Sequence, residues 1–239
     1  MSRYDETTGP VPNPSQFYLE WNSELNAFSY WKKENGEGER IAYPLPFRFA
    51  PLKFMNSITG YDENRRQGIF SNEVADTRSE RLRVLYRDGS TCAQGYYSEI
   101  KEAVNAAGGR FTRSIYAVTP KGAIVNIKLK GTQMVSFGAI EKFGKRWQDE
   151  WIEVSSFNHA TTPDGKLYSI PVFTFGTSFD KKTCDSIDQA YSVVKNYFDS
   201  KAPVHFGNQQ SGHTDQSNVS MPTSQTANYE LVQDDDLPF

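Results

Sequence analysis

The sequence predicts a mainly β body that carries two or three helices. Two observations lead there. Residues 81–87 and 123–130 alternate apolar and polar side chains with period two, the signature of a half-buried strand. Turn signals such as Asp88-Gly89 and the TPKG and TTPDGK segments punctuate the chain at strand-like intervals.

The elements follow in order. Residues 1–15 are rich in Pro, Gly, Thr and Ser and are expected to form a loose arm. Residues 26–33 read as a strand, ENGEGE as a turn, and RIAYPLPFRFAPL as an extended segment interrupted by prolines, which favour sheet edges and bends. Together they predict an N-terminal hairpin. In 81–87, Leu82, Val84 and Tyr86 share one face, while Arg81, Arg83 and Arg87 project from the other with Leu85 among them. A short helix is expected over 97–107, with Ile100, Val104 and Ala107 on its apolar face and Gly108-Gly109 as its stop. Strands follow at 110–118 and 123–130. In the second, Ala123, Val125, Ile127 and Leu129 oppose Asn126, Lys128 and Lys130. A helix over 132–143 and an extended stretch over 147–154 come next, the latter placing Trp147 and Trp151 on one face. A strand is predicted at 167–175. The last helix is expected over 186–199, with Ser186 and Gln189 as a capping box and Ile187, Ala190, Tyr191, Val194 and Phe198 as its packing stripe.

A chain of 239 residues suits one elaborated domain or two small ones, and its 37% hydrophobic and 14% aromatic content can fill a core. The absence of a run of about 18 apolar residues argues against a membrane span, and the first residues hold no apolar signal-peptide core. A cytoplasmic location is therefore expected. Cys92 and Cys184 lie far apart and are read as reduced thiols. His159, His205 and His213 form no zinc spacing, and no cofactor is expected.

Charge is distributed unevenly. Residues 81–146 hold 12 Lys or Arg against the acids Asp88, Glu99, Glu102 and Glu141, a net of +8. Residues 201–239 hold Lys201 against Asp215, Glu230, Asp234, Asp235 and Asp236, a net of −4. The polar stretch 201–233 lacks the apolar residues needed to offset ordering entropy and is expected to be a flexible linker. It leads to a tip, 234–239, where three carboxylates stand beside Leu237, Pro238 and Phe239. A solvating tail has no use for that phenylalanine, so the tip reads as a docking peptide for another protein.

A sequence-blind binder of unpaired nucleic acid needs cations for phosphates and flat rings for bases. For the backbone, the middle region offers Arg81, Arg83, Arg87, Arg110, Arg113, Lys121, Lys128, Lys130, Lys142, Lys145 and Arg146. For stacking, it offers Tyr86, Tyr96, Tyr97, Phe111, Tyr116, Phe137 and Trp147. No helix rich in Arg, Asn and Gln suggests reading of a duplex. For catalysis, the best carboxylates are Glu73, the pair Asp149 and Glu150, and the pair Asp62 and Glu63. They form no convincing nuclease set, and no phosphate loop of the G-x-x-x-x-G-K-[ST] type occurs. The expectation is a non-enzymatic protein. Its rivals are an interaction adaptor without nucleic-acid function and a metal-dependent DNA-processing enzyme.

The tip Asp234-Asp235-Asp236-Leu237-Pro238-Phe239 resembles the acidic end of bacterial single-stranded DNA-binding proteins. The layout of basic body, polar linker and acidic tip is similar to that of phage replication proteins, and residues 44–74 resemble a stretch of phage proteins. The resemblance implies that residues 16–200 hold a five-stranded oligonucleotide-binding barrel. It also implies that Phe239 enters an apolar pocket on a replication or repair partner such as a polymerase, helicase or primase, with the aspartates meeting basic residues around it. The enlarged body favours a monomer or dimer over a tetramer, in the cytoplasm of a bacterial host.

Overall fold

The computed structural model describes residues 11–34 and 37–201; the linker from 202 and the acidic tip lie outside them. The strands are β1 (Phe17–Asn22), β2 (Ala27–Glu34), β3 (Glu37–Ala42), β4 (Phe47–Asp62), β5 (Gln67–Ser71), β6 (Leu82–Tyr86), β7 (Thr91–Gly95), β8 (Gly109–Val118), β9 (Ile124–Lys130), β10 (Glu150–Thr161) and β11 (Leu167–Ser178). Three α-helices accompany them: α1 (Tyr97–Ala106), α2 (Thr132–Glu141) and α3 (Lys181–Asp199).

The strands form one eleven-stranded sheet in the order β3-β2-β1-β9-β8-β4-β5-β6-β7, with β10 joined to β4 and β11 to β10. All neighbours are antiparallel except β1 and β9. The mainly β expectation holds, but the five-stranded closed barrel does not. The physical reason lies in β4. Its sixteen residues pair with β8 along one edge, while the other edge serves β10 at Phe47–Phe49 and β5 at Thr59–Asp62. A strand that branches in this way opens the sheet into two wings. The first wing curls until Trp21 Nε1 reaches the carbonyl and the hydroxyl of Ser169, each at 3.1 Å, so side chains and not a backbone ladder bridge β1 to β11.

The main core fills the inner face of that curl. Leu19, Phe28, Phe49, Ile115, Ile127, Leu129, Ile152 and Phe173 meet Phe137 and Ile140 of α2 there. The Phe137 and Phe173 rings stand edge to face at 5.2 Å. On the same face of the second wing, Ile58, Ile69, Leu82, Val84 and Tyr86 pack under Ile100 and Val104 of α1. The opposite, outer face carries α3, whose Ile187, Ala190, Val194, Tyr197 and Phe198 lie on Ala50, Leu52, Met55, Tyr116 and Val118.

Local chemistry explains most boundaries. Glu99 accepts from the Tyr96 N–H at 3.0 Å and fixes the start of α1. α3 begins at Lys181, five residues ahead of the expected 186, because the Asp180 carboxylate accepts from Thr183 N–H at 2.7 Å. Tyr191, expected in the packing stripe, is exposed; Tyr197 packs in its place. Trp147 sits in a short 3-10 turn, Arg146–Gln148, against Phe54, whereas Trp151 packs on Phe179, so the two tryptophans do not share a strand face. Pro51 falls at an irregularity in the β4–β8 ladder, where its missing donor is tolerated. The expected hairpin pairs Ser29 to Ala42 and continues to Glu34 opposite Glu37. Residues 13–15, expected in the loose arm, are half-buried, and Asn13 Nδ2 donates to the Tyr18 hydroxyl at 2.7 Å. Among the described residues no helix is long and apolar enough to cross a membrane.

Candidate nucleic-acid interface

Residues directly opposite each other in adjacent strands project from the same sheet face. The outer face can therefore be followed across the ladders. One row runs from Lys130 through Thr112 to Ser57, and another from Arg110 through Thr59 and Phe70 to Leu85. Lys128 stands opposite Ser114 on one side and Glu20 on the other. Arg83 and Arg87 alternate with the buried Leu82, Val84 and Tyr86 and so join this face. The period-two reading of both segments placed these cations correctly.

Other predicted cations lie elsewhere. Arg113 points to the inner side, where its guanidinium covers Phe54 at 5.0 Å and pairs with Glu141 at 2.6 Å. Arg146 lies over Phe175 at 4.5 Å and pairs with Glu150 at 2.7 Å. Lys142 and Lys145 are exposed just beyond α2, on the inner-face side, and Lys121 is exposed in the β8–β9 turn, at the far end of β8 from Arg110. Arg81 lies with its guanidinium 6.0 Å from the Tyr96 ring, at the start of α1.

The predicted stacking rings fare worse. Tyr86, Tyr116 and Phe137 are core residues. The Tyr86 hydroxyl donates to Asp62 at 3.1 Å, and a hydrogen bond with Cys92, followed by burial, pushes its pKa up to about 12. Tyr116 donates to Glu73 at 2.8 Å, and burial, reinforced by the Glu73 charge, raises its pKa strongly. Tyr97 and Phe111 pack on each other at 5.0 Å beside the α1 core, and Trp147 is half-buried. Rings that do share the outer face with the cations include Tyr18, Tyr61 and Phe70, and Trp31 farther along the sheet in β2, all half-buried. The signal that would have found Tyr61 is the alternation of Ser57, Thr59 and Tyr61 with Ile58 and Gly60.

A groove of about 420 Å³ crosses the end of this face, lined by Glu20, Thr59, Tyr61, Glu63, Arg110, Lys128 and Lys130 among others. Its wall is built by a close backbone approach: a Cβ on Gly108, whose φ is +91°, would meet the Tyr61 carbonyl oxygen at 2.1 Å, and one on Gly60 would meet the Gly108 oxygen at 2.4 Å. Lys130 pairs with Glu20 at 3.0 Å. Arg110 Nη1 donates to the carbonyls of Gly109 and Asn105 at 2.9 and 3.3 Å. Lys128 lies 5.1 Å from the centre of the Tyr18 ring, and desolvation lowers its pKa against the opposing pull of Glu20 and Glu73.

The candidate carboxylates for catalysis do not converge. Asp62 accepts from the N–H groups of Asn64 and Arg65 and organises the β4–β5 turn. Glu73 is taken up by Tyr116, Asn126 and Lys201, and Glu150 by Arg146. Among the described residues no cluster of three His, Cys, Asp or Glu side chains is placed to hold a metal ion. Cys92 and Cys184 are free thiols. No protein-family model, curated protein or solved structure matches this chain.

Proposed function

We propose that this protein binds single-stranded DNA without strong sequence preference, through the outer face of its sheet. We also propose that its acidic tip docks on replication or repair proteins. The observation that carries the reading is the gathering of Arg83, Arg87, Arg110, Lys128 and Lys130 on the face that also holds Tyr61 and Phe70. Cations spaced along a sheet neutralise a flexible phosphate chain, and half-exposed rings between them give bases a surface to stack on. Contacts of this kind read no base edges, which accounts for the lack of sequence preference in the proposal.

The test is fluorescence anisotropy with labelled oligo-dT at increasing salt. Five phosphate contacts on a single strand predict a log–log slope of about −3.5, so affinity falls about a hundredfold between about 50 and 200 mM salt. Binding that is undetectable at low salt, or that salt does not weaken, contradicts the reading.

A further inference from the structure

Lys128 is the one member of the cationic face that is drawn into the protein without an acidic or hydrogen-bonding partner among the described residues. Its neighbours are already engaged: Glu20 holds Lys130 at 3.0 Å, and Glu73 accepts from Tyr116 at 2.8 Å. The Lys128 ammonium has the Tyr18 ring face at 5.1 Å and no carboxylate within ion-pair reach. Directly across the ladder stands Ser114, and two residues back on the same face stands Asn126. Both are fully buried, and Ser114 Oγ and Asn126 Oδ1 have no hydrogen-bond partner. A half-buried cation without an ion pair and two unsatisfied buried polar atoms cost the folded chain stability. Of the three, Lys128 alone lines the groove, where an arriving anion would supply the missing partner.

We propose that Lys128 is the anchor of a phosphate subsite within the groove, holding one backbone phosphate of the bound strand while the exposed arginines make looser contacts. The proposal rests on the single-strand reading above and names the residue on which affinity turns. Its chemistry is that of a partly dry ion pair. An anion arriving at a half-buried cation gains more than one arriving at a fully solvated surface lysine.

The substitution Lys128→Met distinguishes this from a structural role. Removing a half-buried charge that lacks an ion pair in favour of an apolar chain of similar length relieves the folded state. The expected result is therefore a higher melting temperature together with about tenfold weaker oligo-dT binding, while Lys121→Met changes affinity less than twofold. Lys128→Arg, which keeps the charge, is expected to retain most of the affinity. Three results overturn the proposal: oligo-dT affinity in Lys128→Met within twofold of the parent; weaker binding accompanied by a lower melting temperature; or an equal loss in Lys121→Met. If the unmodified protein binds no oligo-dT at all, the single-strand reading itself fails, an outcome separate from these.

Discussion

Tyr86 shows how one residue can satisfy two readings from its sequence position and only one from its surroundings. It lies in a basic strand, yet its ring is buried with Leu82 and Val84 and is covered by the Arg65 guanidinium at 4.3 Å. Its hydroxyl reaches Asp62 at 3.1 Å, tying β6 to the β4–β5 turn. The folded protein holds this phenol protonated up to about 12, whereas the unfolded phenol ionises near its ordinary value of about 10. The folded state therefore binds more protons in that interval, and stability falls as pH rises from about 10 toward 12. Tyr86→Phe is expected to flatten that alkaline decline, measured by urea unfolding at stepped pH, and to leave oligo-dT affinity unchanged. An affinity loss without a change in the pH profile would return Tyr86 to the stacking role.

At the scale of elements, the close approach of the α1–β8 turn to the end of β4 fixes the groove wall. Gly108 holds a positive φ, and any side chain there collides with the Tyr61 backbone. Gly108→Ala should cost about 2 kcal/mol or more, read from the urea midpoint. It should also weaken oligo-dT binding, because Tyr61 and Arg110 flank the same turn. The glycine pair was legible in the sequence as a helix stop, but its contact with β4 was not, since that contact depends on a register set across nearly fifty residues. The same limit explains the other differences. Alternation in 81–87 and 123–130 gave the correct faces for Arg83, Arg87, Lys128 and Lys130, because period two is local. It could not show that Arg113, which also lies in a strand, faces Leu129 and the inner core. Only the start of β4 was legible, within the extended segment RIAYPLPFRFAPL, because Pro51 and the branched pairing mask a sixteen-residue strand.

For the whole molecule, the sheet separates two kinds of surface. The inner face is apolar and closed by α1 and α2, and the outer face is shared between α3 and a cationic, partly aromatic band. A local net of +8 over residues 81–146 suggested a polyanion partner, and the fold divides those charges between the band and the inner-face side. The central claim is that the band, and not the total charge, binds nucleic acid. Two double variants separate these: Arg83→Gln with Arg110→Gln on the band, and Lys142→Gln with Lys145→Gln beyond α2. Each removes the same charge. The decisive measurement is the salt dependence of oligo-dT affinity in the two. The account predicts that the log–log slope becomes shallower by about 1.4 in the band variant and stays unchanged in the other. Equal slopes in the two variants, or a loss confined to Lys142→Gln with Lys145→Gln, would contradict it.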